Sequence, residues 1–168
     1  METQNLQLIP CDSEILQSAI AGNDSLAQKL GVIVPDGWTE FGIGALQYAQ
    51  KKLAANTDEK GWWTYFPILK KQNKLIGSGG YKGKPTPEGM VELGYEIAPA
   101  YRNRGFASEM ANGLIENAFQ DERVKLIVAH TLGEENPSTK VLKKCGFEKI
   151  EVIDDPDDGL LWKWALRK

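Results

Sequence analysis

From Met90 the chain alternates apolar and polar residues. In MVELGYEIA, Val91, Leu93, Tyr95 and Ile97 fall on one side and Glu92, Gly94 and Glu96 on the other, the two-residue period of a strand with one buried face. A turn, PAYRNRG, follows, and the period changes. Ala107, Met110, Ala111, Leu114, Ile115, Ala118 and Phe119 recur at helical spacing, which predicts a helix opening near Gly105 with one buried stripe. VKLIVAHTL is a short continuous apolar run, the mark of a strand covered on both faces. Right-handed crossover then makes the two strands parallel neighbours in a mostly antiparallel sheet.

The flanking segments carry weaker versions of both patterns. NLQLIP reads as a first strand, and Asp12 or Ser13 can cap a helix through EILQSAIAG that closes at Gly22. DSLAQKLG predicts a second short helix. TEFGIGALQYAQKKLAAN places Phe41, Leu46, Ala49 and Leu53 on one face of a third, weakened by Gly42 and Gly44. WWTYFPIL, the turn KQNK and LIGSGGYKG predict an antiparallel hairpin. Alternation puts Trp62 and Trp63 on opposite faces. After the central unit, NPSTKVLKKCGF reads as a brief helix ending at Gly146, and FEKIEVI and LLWKWALR as strands joined by DDPDDG. The expected fold class is α/β (α+β), with helices on both faces of a mixed sheet and residues 1–168 forming a single domain.

Composition narrows the partners. A net charge of −3 over 168 residues leaves no footprint for nucleic acid or an anionic membrane, and no apolar run approaches the ~20 residues that span a bilayer. The start, METQNLQLIPCD, lacks the pattern of a secretory signal, and Cys11 and Cys145 read as free thiols. A cytoplasmic location is the expectation. With one histidine and no Cys-x-x-Cys, no metal site is expected.

The turn between strand and helix carries the chemistry. A helix opening at Gly105 leaves its first amides without intrahelical partners, and together with the helix dipole they form an anion site. Gly105 lets a bulky diphosphate approach the backbone, Ala107 keeps the first turn small, and Arg102 and Arg104 add charge around Asn103. Other phosphate motifs fail. In GSGGYKGKP the glycine required before Gly83 falls on Ser78, and Pro85 stands where Ser or Thr is needed; the GIG at Gly42 has no third glycine.

R-x-x-G-x-A at Arg102, Gly105 and Ala107, followed by AHTLGEENPSTKVLKKCGF, resembles the GNAT acyltransferase superfamily, most nearly the branch of the ribosomal-protein N-terminal (alanine) acetyltransferases. The resemblance is close over residues 74–150. It implies acetyl-CoA as co-substrate, held in a gap between two splayed parallel strands. It also implies an N-acetyltransferase acting on a primary amine, either a protein N-terminus or a small molecule. Ile97 and Ala98 would pair with the pantetheine arm, Arg102, Asn103, Arg104, Gly105, Phe106 and Ala107 would hold the diphosphate, and Asn136 would contact the arm. The backbone N–H of Ile97 or Ala98 would serve the developing oxyanion. Glu92 or Glu96 would take the amine proton, directly or through water. Many relatives carry a tyrosine acid in the helix after the Asn; here Val141, Leu142 and Lys143 stand there, leaving Ser138, Lys143, water or no acid.

The remaining reactive or aromatic residues have plainer readings. His130 is expected as structural, Cys145 as core, Trp38 as a wall of the acceptor site, and DDPDDG as a solvated turn that would favour cationic acceptors if it overhung the cleft. Trp62, Trp63, Tyr65 and Phe66 are candidates to line an acceptor pocket, with core or homodimer packing the commoner use of such residues. A non-catalytic acyl-CoA-binding module on the same fold and a generic phosphate-ligand protein are the alternatives.

Overall fold

The computed structural model describes residues 1–168. Eight strands form one sheet in the order β1-β2-β4-β5-β6-β8-β7, with β3 on β2. These are β1 (Leu6–Pro10), β2 (Thr64–Leu69), β3 (Lys74–Leu75), β4 (Gly77–Tyr81), β5 (Met90–Ile97), β6 (Leu126–Leu132), β7 (Glu148–Asp155) and β8 (Gly159–Arg167). Every neighbouring pair is antiparallel except β5 and β6. Helices α1 (Ser13–Ala21), α2 (Asn23–Leu30) and α3 (Gly42–Ala55) cover one face; α4 (Phe106–Gln120) and α5 (Pro137–Lys144) cover the other.

Each face has its own core. Met110, Ala111, Leu114 and Ala118 of α4 meet Val91, Leu93 and Ile97 of β5, Ile127 and Ala129 of β6, and Trp164 of β8. Leu16, Leu26, Leu46, Ala49 and Leu53 of the other helices pack on Phe66, Ile68 and Leu75. Removing this much apolar surface from water is the main driving force holding both layers to the sheet. Trp62 and Trp63 do take opposite faces: Trp62 lies against Tyr81 (centroids 5.1 Å apart), whereas Trp63 meets Tyr48 (5.7 Å).

Local chemistry sets the boundaries. The Asp12 carboxylate accepts from the Ile15 amide (2.9 Å) to start α1, and Gly22 ends it. The expected strand LIGSGGYKG divides at Ile76, whose N–H leaves the β3 register to bond Pro67 C=O. Further along, within β4, Gly80 is required because its φ is 137° and a Cβ would sit 1.8 Å from the Trp63 carbonyl oxygen. One expectation fails outright. The spacing puts Phe41 on one face with Leu46, Ala49 and Leu53, but the helix starts one residue later and Phe41 is 59% exposed. The sequence pattern does not show what anchors that start, which is a carboxylate from β5.

Candidate active site

The parallel pair separates almost as soon as it forms. β5 and β6 share only three rungs, Met90 with Leu126, Val91 with Ile127 and Glu92 with Val128, although both strands run on. Past Glu92, β5 stays paired with β4 as far as Gly77–Ile97, and β6 stays paired with β8 as far as Leu132–Leu161. A gap therefore opens inside a continuous sheet. Backbone direction alternates along β5, and the Lys82 N–H to Glu92 C=O bond fixes which residues face β4. Tyr95 and Ile97 consequently turn their amides toward the gap, available to an extended ligand lying there as an added strand.

The same reasoning corrects one expected donor. The Ala98 N–H is committed to the Ile76 carbonyl (2.8 Å) and cannot serve the gap. Ile97 does face it, although its carbonyl already accepts from Arg102 Nε (2.9 Å).

Glu92 stands at the last rung. Its Oε1 accepts from Lys82 Nζ and lies 3.0 Å from His130 Nδ1, with both side chains about a quarter exposed. His130, expected as a structural residue, thus pairs with Glu92, one of the two candidate bases. The signal was in register: Glu92 opposite Val128 puts His130 two residues further along the same face of the neighbouring strand.

Glu96 has a different environment. It is buried, and its Oε1 accepts from Thr39 Oγ1 (2.5 Å) and Ser78 Oγ (2.7 Å). Its Oε2 accepts from the backbone N–H groups of Glu40 (2.8 Å) and Phe41 (3.1 Å). Four donors hold a carboxylate at the positive end of α3. This is an anchor, with its lone pairs already spoken for.

Beyond Ile97 the chain makes the predicted turn. Asn103 (φ 60°) and Gly105 (φ 83°) both take the left-handed conformation, and successive amides in such a turn form a concave anion cradle. α4 begins at Phe106 with no side chain capping it, whereas Asp12 and Asn136 cap α1 and α5. Its first intrahelical bond is Glu109 N–H to Gly105 C=O, which leaves the preceding amides to outside partners. A Cβ at Gly105 would meet nothing within 4 Å. The glycine therefore serves the backbone angle, and the space before the amides is open. Phe106 is buried, so only its backbone can contribute, and Ala107 packs partly on the core.

The arginines are placed less directly than expected. Arg102 ties Ile97 C=O to the Glu40 carboxylate. Arg104 lies over the rings of Phe106 (4.9 Å) and Tyr101 (5.8 Å) at the rim of the turn.

Across the gap, Asn136 caps α5. Its Oδ1 accepts from Thr139 N–H (3.0 Å), Thr139 Oγ1 accepts from Asn136 N–H (3.1 Å), and its amide nitrogen donates to Glu134 C=O (3.1 Å). The N-x-x-T spacing was a legible capping signal. Ser138 is exposed in the first turn, and its carbonyl accepts from the Tyr95 hydroxyl (3.3 Å). Tyr95 thus brings a phenol from β5 to the helix that lacks one. Burial, reinforced by the nearby Cys145 thiol, raises its pKa well above the ordinary tyrosine value, so it stays protonated. Lys143 is paired with Glu135 (2.5 Å).

A three-rung parallel ladder, a gap and an uncapped helix behind a left-handed turn make a consistent site for a pantetheine diphosphate. Residues 26–148 match the model of the acetyltransferase (GNAT) domain. The chain belongs to the GNAT acetyltransferase family. It is similar to an uncharacterized N-acetyltransferase of Bacillus subtilis (strain 168), YjdG, with 29% identity over 149 residues and 88% of each chain covered. Among solved structures it resembles the ribosomal-protein-S5-alanine acetyltransferase of Vibrio fischeri (TM-score 0.71, 16% identity, 99% and 95% covered). It also resembles the dodecameric spermidine N-acetyltransferase of Vibrio cholerae (TM-score 0.69, 15% identity, 97% and 94% covered). At such identities the structures establish the fold. The family and its named members establish an N-acetyltransferase, ahead of a non-catalytic acyl-CoA module.

Two further expectations for the acetyltransferase are resolved by packing. Trp38 does not line an acceptor wall: it is buried edge-on against Phe66 (5.2 Å), and its indole N–H donates to Asn23 (3.1 Å). Cys145 is partly buried against the α4 core, and burial raises its thiol pKa, the wrong direction for a nucleophile.

Proposed function

We propose that the acetyltransferase moves the acetyl group of acetyl-CoA to a primary amine presented from the Glu92 side of the gap, residues 1–168 acting as one domain. The observation that carries this reading is the Glu92–His130 pair at the last rung before the strands part. Bound acetyl-CoA supplies a thioester carbon open to nucleophilic attack; the protein's own groups do the rest.

An ammonium cannot attack, so a proton must leave first. Lys82 and His130 both engage Glu92 Oε1, which fits a carboxylate accepting from His130 Nδ1–H. That tautomer leaves His130 Nε2 bare, and Glu92 Oε2 is the second open acceptor. The pair takes the amine proton as a unit. Tyr95 N–H is the first gap-facing amide left free past the ladder, with Ile97 N–H next, and these donors stabilise charge growing on the carbonyl oxygen. The neutral Tyr95 hydroxyl, turning from the Ser138 carbonyl, is the donor to the departing thiolate, the task otherwise left to Ser138 or water. The amides of residues 105–108 and the Arg104 charge hold the diphosphate, and the exposed Ser138 and Asn136 flank the arm.

The acceptor class follows from the site's mouth. The turn between β7 and β8, with Asp154, Asp155, Asp157 and Asp158, lies at the same end of the sheet as the opening, because Leu161 pairs with Leu132 at the end of β6. This favours cationic amines or basic N-termini, a range consistent with neighbours named for spermidine and for an S5 alanine. A screen of polyamines and of peptides differing at their first residue, incubated with acetyl-CoA and read by mass spectrometry, tests the proposal. A product heavier by one acetyl group on the amine is expected. Coenzyme A binding without any acetylated amine overturns it.

A further inference from the structure

Glu96 is two strand positions beyond Gly94 on the face that carries Glu92, yet its contacts lead away from proton transfer. Its carboxylate receives Thr39 Oγ1 and the Glu40 and Phe41 amides from the segment before α3, and Ser78 Oγ from β4. Thr39 Oγ1 in turn accepts from the Gly42 N–H (3.3 Å), the first residue of α3. The next residue, Ile97, faces the gap, and its carbonyl is held by Arg102, whose guanidinium also holds Glu40. Residues 39–41, 96–97 and 102 therefore close into a ring of contacts. Its one aromatic member, Phe41, is 59% exposed although its backbone is pinned to the cofactor strand, and Ile43, two residues on, is 51% exposed.

We infer that Glu96 is a positioning residue for the acceptor: it fixes the segment 39–43, with Phe41 and Ile43 as an apolar rim, at a set distance from the gap. The inference rests on the acceptor entering from the Glu92 side. The reasoning is geometric. A segment that supplies one wall of an acceptor site must keep its place relative to the thioester, and a carboxylate on the strand lining the gap is the most direct tether. A carboxylate suits the task because all of its partners are donors. A glutamine can turn its oxygen to the Glu40 and Phe41 amides, but its NH2 then requires the Thr39 and Ser78 hydroxyls to reverse and accept, and the charge assistance of all four bonds is lost.

The two sides of Glu96 separate the roles it could have. Thr39 ties it to the acceptor segment, whereas Ser78 ties it to the sheet. Glu96→Gln, Thr39→Val and Ser78→Ala are compared by steady-state kinetics with benzylamine as the primary-amine probe, and by hydrogen exchange at the Glu40 and Phe41 amides. Glu96→Gln and Thr39→Val are expected to raise the KM for the amine about tenfold, leave the KM for acetyl-CoA and the pH profile in place, and speed exchange at both amides. Ser78→Ala is expected to change neither readout. If Ser78→Ala matches Thr39→Val, Glu96 is only a stability element. If Glu96→Gln loses a hundredfold in kcat and the acid limb of its pH profile, Glu96 is the base; either result overturns the inference. The exchange readout needs no turnover, so it judges the tether even if benzylamine is not acetylated.

Discussion

Glu92 Oε1 and His130 Nδ1 lie 3.0 Å apart, on parallel strands at the point where those strands stop pairing. Two residues further along β5 the nearest strand on that side is gone and an extended ligand can take its place. The proposed proton acceptor is thus set at the edge of the gap by sheet register, with no loop involved, and rigid elements hold such constellations more closely than loops do.

The cradle depends on one backbone angle. Gly105 has φ 83° with open space where a Cβ would stand, so Gly105→Ala introduces no clash and tests conformation alone. Holding a non-glycine residue there costs about 1–2 kcal/mol. Titration calorimetry with coenzyme A is expected to show binding weakened about tenfold and an otherwise folded enzyme. Gly105→Glu, which adds bulk and negative charge before the amides, is expected to abolish binding. Unchanged affinity in both variants would place the diphosphate elsewhere.

Tyr95 is the phenol that reaches α5. Coenzyme A thiolate is already a tolerable leaving group near neutral pH, so the contribution of an acid is modest. Tyr95→Phe is expected to lower kcat about three- to tenfold, leave the coenzyme A dissociation constant unchanged, and bring out a solvent isotope effect different from that of the parent enzyme. Parent kinetics throughout would return the task to Ser138 or water.

Much of this was legible in the sequence because its signals are periodic. The alternation of β5, the helical stripe of α4 and the apolar run of β6 are each dictated by which face is buried. The turn before α4 was legible too, although Gly105, expected to make room for a diphosphate, serves instead the left-handed backbone angle. What stayed hidden are contacts between residues distant in the chain. Glu96 and Glu92 look identical in an alternating strand, yet Ser78, Thr39 and the Glu40 and Phe41 amides surround one, while His130 and Lys82 meet the other. Trp38 looked like a loop aromatic because nothing local shows that Phe66 and Asn23 enclose it.

Glu109 offers a pH test of the fold on the opposite face. Although burial pushes its pKa upward, bonds from Thr3 Oγ1, the Asn5 side chain and the Asn5 and Leu6 amides outweigh this and hold it below the ordinary glutamate value. A folded-state pKa below the unfolded one means the stabilisation is full above the unfolded value and is lost as pH falls through the folded value. Glu109→Gln is expected to cost about 1–2 kcal/mol near neutral pH, the low end for bonds to a partly exposed charge. Thermal unfolding from pH 7 downward should show the gap between parent and variant closing in the acid range. A constant gap at every pH would remove the charge from the explanation.

The pH dependence of kcat/KM in the parent, Glu92→Gln and His130→Gln enzymes, measured with an acceptor amine identified by the screen, tests the central claim most directly. A general base contributes about 10²–10⁴-fold. The parent profile is expected to rise along an acid limb. Both variants are expected to lose that limb and at least a hundredfold in rate near neutral pH, while coenzyme A binding persists. Three superimposable profiles at full rate would contradict the Glu92–His130 pair as the proton acceptor.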